Sequence, residues 1–176
     1  VAAAPSFTPA PSADAPTTDQ ILIDLIAKCT EIGLPTTFLV GVDPAAGLLR
    51  GELVSDSSAA RELDYALGIT AGRFTIELSD RYNAIARACR EGRPVTSPTV
   101  GELVRPLRDA DGAATLERLV QGGRSTIIPI TVSGDVVGAL IVGPMAEDPG
   151  FSTIVQVRDL VHETASRLTE AWRTRP

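Results

Sequence analysis

Several features that mark specialised protein classes are scarce in this 176-residue sequence. Its longest apolar stretches, such as Val136 to Val142, are far too short to cross a bilayer. The amino terminus has no basic segment followed by an apolar core, as a secretion signal would have. Basic residues number 16 against 22 acidic ones, and the net charge of -6 disfavours contact with a phosphate backbone. We therefore expect no membrane insertion and no direct nucleic-acid binding.

Cysteine and histidine are equally scarce. The two cysteines, Cys29 and Cys89, are too few for a disulfide framework, and each falls on the apolar side of a predicted helix. His162 is the one histidine, without the second histidine four residues on that a helical zinc site needs, so we expect it at a surface or interface. No cofactor, metal site or catalytic constellation is evident. A reducing cytoplasm is the expected setting.

The sequence that is present has the composition of a folded domain, with 44% hydrophobic and 22% charged residues. Residues 1–17 are rich in alanine and proline, which predicts a disordered or extended linker. Residues 18–174 are then one domain. Because the chain also begins without methionine, we expect a piece of a longer or processed protein whose output lies elsewhere.

Hydrophobic periodicity predicts the order α-β-β-α-β-α-loop-β-β-α. The predicted elements are helix Thr18–Ile32, strands Thr37–Val42 and Leu48–Val54, helix Ser57–Leu67, strand Arg73–Leu78, a helix capped by Ser79 or Asp80 and ending at Gly92, an irregular stretch Ser97–Gly123, strands Ser125–Val132 and Val136–Gly143, and helix Phe151–Arg173. The last two strands are almost continuously apolar, which predicts that both of their faces are buried at the centre of the sheet.

These elements predict an α+β fold with three layers, α/β/α. A central antiparallel sheet of about five or six strands would have the first and last helices on one face. The middle helix and the irregular stretch would cover the other face.

Two stretches carry a family resemblance. Gly122 to Ile130, followed by Gly134 to Leu140, resembles the strand, tight turn and glycine-bearing strand that end a GAF domain. Ala84 to Val95 resembles the helix and short strand in the middle of such a domain. The resemblance extends over about Thr18 to Trp172 and implies a GAF/PAS-like fold.

GAF domains are commonly input modules of histidine kinases, cyclases, phosphodiesterases and transcription regulators. The resemblance therefore implies a non-catalytic sensor, such as one in a two-component system, that binds an unknown small ligand and acts on an output domain. The ligand pocket would lie between the sheet and the segments 57–72 and 97–123. The candidate ligand-binding residues are Phe74, Ile76, Arg105, Leu107, Arg108, Leu116, Leu119, Arg124 and Thr126.

The resemblance also implies a homodimer formed through the terminal helices. The candidate interface residues are Ile21, Leu25, Ile154, Val157, Val161 and Leu168. One alternative is an interaction module that dimerises in this way and binds no small molecule. Another is a thiol-dependent reductase, which would require Cys89 or Cys29 to be exposed with a lowered pKa.

Overall fold

The computed structural model describes residues 16–34, 36–54, 61, 74–99, 103, 123–145 and 150–173. The predicted linker 1–17 and the predicted helix Ser57–Leu67 lie almost wholly outside these residues, as does most of the stretch Ser97–Gly123.

The described elements follow the predicted order closely. The helices are α1 (Thr18–Glu31), α2 (Ala84–Glu91) and α3 (Gly150–Arg173). The strands are β1 (Thr37–Asp43), β2 (Leu48–Val54), β3 (Thr75–Glu77), β4 (Val95–Ser97), β5 (Arg124–Val132) and β6 (Asp135–Met145). Strand β3 is shorter than predicted.

All six strands pair antiparallel in the order β3-β2-β1-β6-β5-β4. Strands β1 and β6 are central, and the register places Leu39 opposite Leu140 and Val40 opposite Ala139. Of the two apolar strands predicted at the centre of the sheet, β6 is central, whereas β5 lies between β6 and the edge strand β4. The predicted α+β architecture is confirmed.

Two hydrophobic clusters lie on opposite faces of this sheet. The terminal-helix face packs the sheet against α1 and α3, and its buried members include Ile21, Leu25, Leu39, Ile128, Leu140, Val157 and Leu168. The α2 face packs the sheet against α2, and its buried members include Phe38, Val40, Leu49, Phe74, Ile76, Ile85, Ile127 and Ile141. Because side chains alternate along a strand, neighbouring residues such as Ile127 and Ile128 contribute to different clusters.

The start of α2 differs from the prediction. The cap is Asn83, whose Oδ1 accepts hydrogen bonds from the backbone N–H groups of Ile85 and Ala86 at 2.9 and 3.0 Å. The Asp80 carboxylate instead accepts from the N–H groups of Tyr82 and Asn83, closing the turn before the helix. An asparagine at this position satisfies two amides that the helix leaves without internal partners.

Helices α1 and α3 run antiparallel and are joined by ion pairs. Asp24 pairs with Arg167 and, at 3.5 Å, with Lys28, while Lys28 contacts Glu163 at 3.0 Å. At the far end of this helix pair, Trp172 Nε1 donates to Thr18 Oγ1 at 3.2 Å. The Arg167 hydrogen bond lowers the pKa of Asp24, and the Glu163 hydrogen bond raises the pKa of Lys28.

We predict that Asp24→Asn lowers the free energy of unfolding by less than about 1 kcal/mol at neutral pH, since these charged groups are partly exposed. The folded-state pKa of Asp24 is depressed, so its contribution is present above about pH 4 and is lost as the pH falls through that pKa. Urea unfolding of wild type and variant from pH 7 downward measures this difference.

The matched control is Asp159→Asn, which alters an exposed α3 carboxylate without an ion pair in the described part of the chain. A stability difference for Asp24→Asn that stays constant at acid pH would contradict the assigned role of this carboxylate. Added salt should reduce the difference at neutral pH.

Candidate functional site

A group of buried polar side chains lies on the α2 face, at the end of the sheet where β5 begins. Ser97 and Ser125 are directly opposite each other in the β4–β5 ladder, and each is almost fully buried. Ser97 lies two residues from Val95, which packs against the α2-face cluster. Ser125 lies two residues from Ile127, a member of that cluster. By strand alternation both serines therefore point to the α2 face.

Asn83 and Ser97 have their hydrogen bonds within the chain. Besides capping α2, Asn83 donates from Nδ2 to the carbonyl oxygen of Leu103 at 3.0 Å. Ser97 Oγ donates to the carbonyl oxygen of Thr99 at 2.9 Å. The first contact connects the start of α2 to Leu103, and the second connects the end of β4 to Thr99.

The hydroxyl of Ser125 is different, because Oγ is buried and has no hydrogen-bond partner among the described residues. Its side chain borders Gly143 of β6, where an added Cβ would lie 3.1 Å from Ser125 Oγ and 2.6 Å from the carbonyl oxygen of Arg124. Gly143 also has a φ of +111°, which disfavours any side chain. Only a glycine fits at this position, so the backbone of β6 packs closely against the Ser125 side chain.

A buried hydroxyl without a partner costs about 1–3 kcal/mol. Most such groups in folded proteins are paired with protein, ordered water or a ligand. The chemistry available to Ser125 is the donation and acceptance of a hydrogen bond. This end of the α2 face combines apolar side chains with one buried hydroxyl that has no hydrogen-bond partner among the described residues.

The predicted ligand-binding residues divide into three groups. Phe74 and Ile76 are buried on the α2 face, at the β3 edge of the sheet and four strands away from β5 and Ser125. Thr126 is opposite Val142, a member of the terminal-helix cluster, so its side chain lies on the other face and is not brought together with them. Arg124 is exposed. Arg105, Leu107, Arg108, Leu116 and Leu119 lie outside the described residues.

Ser125 and Asn83 are not among the site residues that the sequence predicts. A usable pattern was present for Ser125, because it lies in a strand whose continuous apolar character predicted burial on both faces. A serine in such a strand is expected to be buried with its neighbours. For Asn83, the competing cap residues Ser79 and Asp80 obscured the true start of the helix.

Both thiols are buried, as the helical patterns predicted. Cys29 is in the terminal-helix cluster and Cys89 in the α2-face cluster. Burial raises the pKa of Cys29 to about 11 and that of Cys89 to about 12, the latter despite the nearby Arg90 charge. Thiols with these pKa values are almost entirely protonated at neutral pH and are poor nucleophiles.

The residues expected to contact a second chain prove to be interior ones. Five of them belong to the buried terminal-helix cluster of this chain: Ile21, Leu25, Val157, Val161 and Leu168. Ile154 is half-buried. Their apolar side chains pack against the sheet, so they are not accessible to another chain. The exposed apolar residues of the terminal helices are instead Ile23, Phe151, Val155 and Trp172.

Other chemical groups are sparse among the described residues. Within them, no three His, Cys, Asp or Glu side chains are grouped so as to hold a metal ion. His162 is exposed on α3. No helix of the described part combines the length and apolar character needed to cross a membrane.

Solved structures resemble the chain closely in fold and weakly in sequence. A GAF domain/HD domain protein from Geobacter sulfurreducens has a TM-score of 0.64 at 14% identity, over 88% of this chain and 94% of that one. The GAF-B domain of DevS from Mycobacterium smegmatis has a TM-score of 0.60 at 18% identity, over 89% and 98%. The GAF domain of a two-component sensor histidine kinase from Bacillus halodurans has a TM-score of 0.60 at 14% identity, over 88% and 95%.

No family model and no curated protein matches the sequence. The structural likeness covers nearly the whole length of each of these solved chains. The chain therefore has the fold of a GAF domain.

Proposed function

We propose that this chain is a non-catalytic sensory module that binds a small ligand on its α2 face and transmits the binding event through α1 and α3. The observation that carries the proposal is the hydroxyl of Ser125, which is buried beside Gly143 and has no hydrogen-bond partner among the described residues. A ligand with a hydrogen-bonding group would satisfy this hydroxyl, while the neighbouring Ile127 and Ile141 would contribute apolar surface on the same face.

The sheet supplies a short route from this face to the terminal helices. Successive residues of β5 and β6 alternate between the two clusters, so Ile127 and Ile141 on the α2 face are bonded directly to Ile128 and Leu140 on the other. A shift of these strands moves side chains in both clusters. Because ion pairs join α1 to α3, the two helices would respond as one unit.

The fold relatives support a signalling role. One of them is part of a two-component sensor histidine kinase and another of a GAF/HD protein. By analogy, the ligand-induced change in this chain would act on an output domain such as a histidine kinase, a cyclase or a transcription regulator, in the cytoplasm.

The two buried serines provide a matched test. In ligand-free protein, Ser97→Ala should lower the free energy of unfolding by about 1–3 kcal/mol, because it leaves the Thr99 carbonyl without this donor. Ser125→Ala should leave it unchanged or higher, since it removes an unpartnered polar group. Urea unfolding of refolded, dialysed protein measures both changes.

The ligand itself is tested with the low-molecular-weight fraction of a host cell extract. This fraction should raise the thermal midpoint of the wild type and raise that of Ser125→Ala much less, because the variant cannot form the hydrogen bond. Ser166→Ala, on the exposed side of α3, should respond like the wild type. Equal shifts in wild type and Ser125→Ala, or no shift in either, would count against a ligand at this site.

A non-catalytic role predicts unreactive thiols. With the pKa of Cys29 near 11, roughly one thiol in a thousand is ionised at pH 8, and fewer still for Cys89. We expect an aromatic disulfide reagent to modify neither cysteine of the folded protein on the timescale on which it modifies both in urea. Rapid modification of either native thiol would favour the reductase alternative.

A second candidate, an interaction module that pairs with another copy of itself, is favoured by the outer side of α3. Phe151 and Val155 are one helical turn apart and are 85% and 36% exposed. An exposed aromatic residue beside an exposed β-branched one is a plausible contact for an identical helix. This pair replaces the interior residues that the sequence suggested.

The dimer is tested by Phe151→Glu, which places a charge where the apolar contact would form. We expect sedimentation velocity to show a concentration-dependent dimer for the wild type and at least a tenfold weaker one for the variant. Tyr82→Glu, at another highly exposed aromatic residue, is the control. A wild type that stays monomeric at high concentration would refute the homodimer.

A further inference from the structure

The two central strands separate at the end of the sheet opposite to Ser125. Pairing of β1 with β6 stops at Gly41 and Gly138, although β1 continues to Asp43 and β6 begins at Asp135. The β1–β2 and β5–β6 hairpins therefore diverge and leave a cleft of about 1040 Å³ between them. This volume slightly exceeds the roughly 300–1,000 Å³ of most small-molecule sites, because the cleft is lined by residues of both faces of the sheet.

One lobe of the cleft, which we call the end lobe, opens on the terminal-helix face. Its walls are the first turn of α1 and the last turns of α3, and its floor is formed by the diverging strands. Its lining residues include Asp19, Leu22, Gly41, Glu52, Gly138 and Trp172. The end lobe thus lies where the two terminal helices meet, on the other face from Ser125.

A β-bulge places Glu52 in this lobe. In the β1–β2 ladder Leu39 is opposite Leu53 and Val40 is opposite Gly51, so Glu52 is the extra residue. Bulges redirect side chains in this way and are common next to functional sites. The Glu52 carboxylate lies over Gly41, where an added Cβ would be 2.7 Å from Oε1. Any residue larger than glycine at position 41 would displace it.

The charges around the cleft are predominantly negative. Of its described lining residues, Asp19, Glu52, Glu91 and Asp135 are acidic and Arg90 is basic. Arg90 donates to the backbone carbonyls of Leu78 and Asp80 and so is already engaged. In the described part of the chain, neither Asp19 nor Glu52 has an ion-pair partner. A positively charged occupant would match this distribution.

Trp172 adds the second element of recognition. Its indole N–H is held by Thr18, adjacent to Asp19, while 40% of the residue remains exposed. An indole fixed along one edge presents its π face to a cation, and tryptophan binds organic ammonium groups best among the aromatic residues. Carboxylates beside such a ring strengthen the attraction.

We propose that the end lobe binds a small organic ammonium ion. Its cationic head would lie between the carboxylates of Asp19 and Glu52 and the indole of Trp172. Its apolar part would contact Leu22. Occupancy would act directly on the paired ends of α1 and α3, independently of any ligand at Ser125.

The experiment uses Trp172 as its own reporter, since the sequence has one tryptophan. Choline and its uncharged carbon isostere, 3,3-dimethylbutan-1-ol, are titrated into the protein at constant ionic strength while tryptophan emission is recorded. We expect a saturable change with choline and at least tenfold weaker binding of the isostere, because only choline carries the charge. Equal responses to the two probes, or no saturable response to choline, would overturn the proposal.

Two variants separate charge from position. Glu52→Gln should weaken choline binding at least about fivefold by removing one carboxylate. Gly41→Ala should also weaken it with every charge retained, because its Cβ displaces the Glu52 carboxylate. Glu31→Gln, at the far end of α1, should bind choline like the wild type. Thermal midpoints of all variants confirm folding, and wild-type affinity in folded Glu52→Gln would refute the site.

Discussion

The burial of β1, β5 and β6 on both faces is the constraint on which the other parts of the structure depend. Each of these strands sends alternate side chains into two separate hydrophobic clusters, so the sheet needs helices on both sides to exclude water. Helices α1 and α3 cover one face and α2 covers the other. Because of the same alternation, residues that point to opposite faces are joined by a single peptide bond. A sheet of this kind can transmit a small displacement from one helical layer to the other.

Because both faces of the sheet are buried, the polar groups inside the layers differ from their mostly apolar surroundings. Asn83 and Ser97 are accommodated because their hydrogen bonds close within the chain. Ser125 is buried to the same extent without a described partner, which singles it out from its neighbours. The backbone of Gly143 packs closely against this hydroxyl. The proposed sensory role rests on that contrast between otherwise similar buried residues.

The two ends of the sheet offer different chemistry to the same pair of helices. At the Ser125 end, a ligand would be enclosed by apolar side chains and would reach α1 and α3 only through the strands. At the diverging end, an occupant of the end lobe would contact the helix termini directly, in a negatively charged and more open setting. Ion pairs between α1 and α3 hold these helices together at intermediate positions. Both proposed sites would therefore act on the same pair of helices, α1 and α3.

The sequence by itself determined the order of the elements, the antiparallel sheet and the identity of its apolar inner strands, because periodicity and turn residues are local properties of the chain. It also selected Phe74 and Ile76, which the structure places on the face that α2 covers. Tertiary structure decided which of the apolar faces are used: the stripe of Ile21, Leu25 and Val157, which as a helical pattern equally suits a dimer, packs inside the chain. It also decided that Thr126 lies on the opposite face from Phe74, since a bulge and a strand register cannot be read from composition. The burial of Ser125 and the position of Glu52 over Gly41 likewise arise only when distant strands pair, because each depends on a neighbour that is remote in sequence.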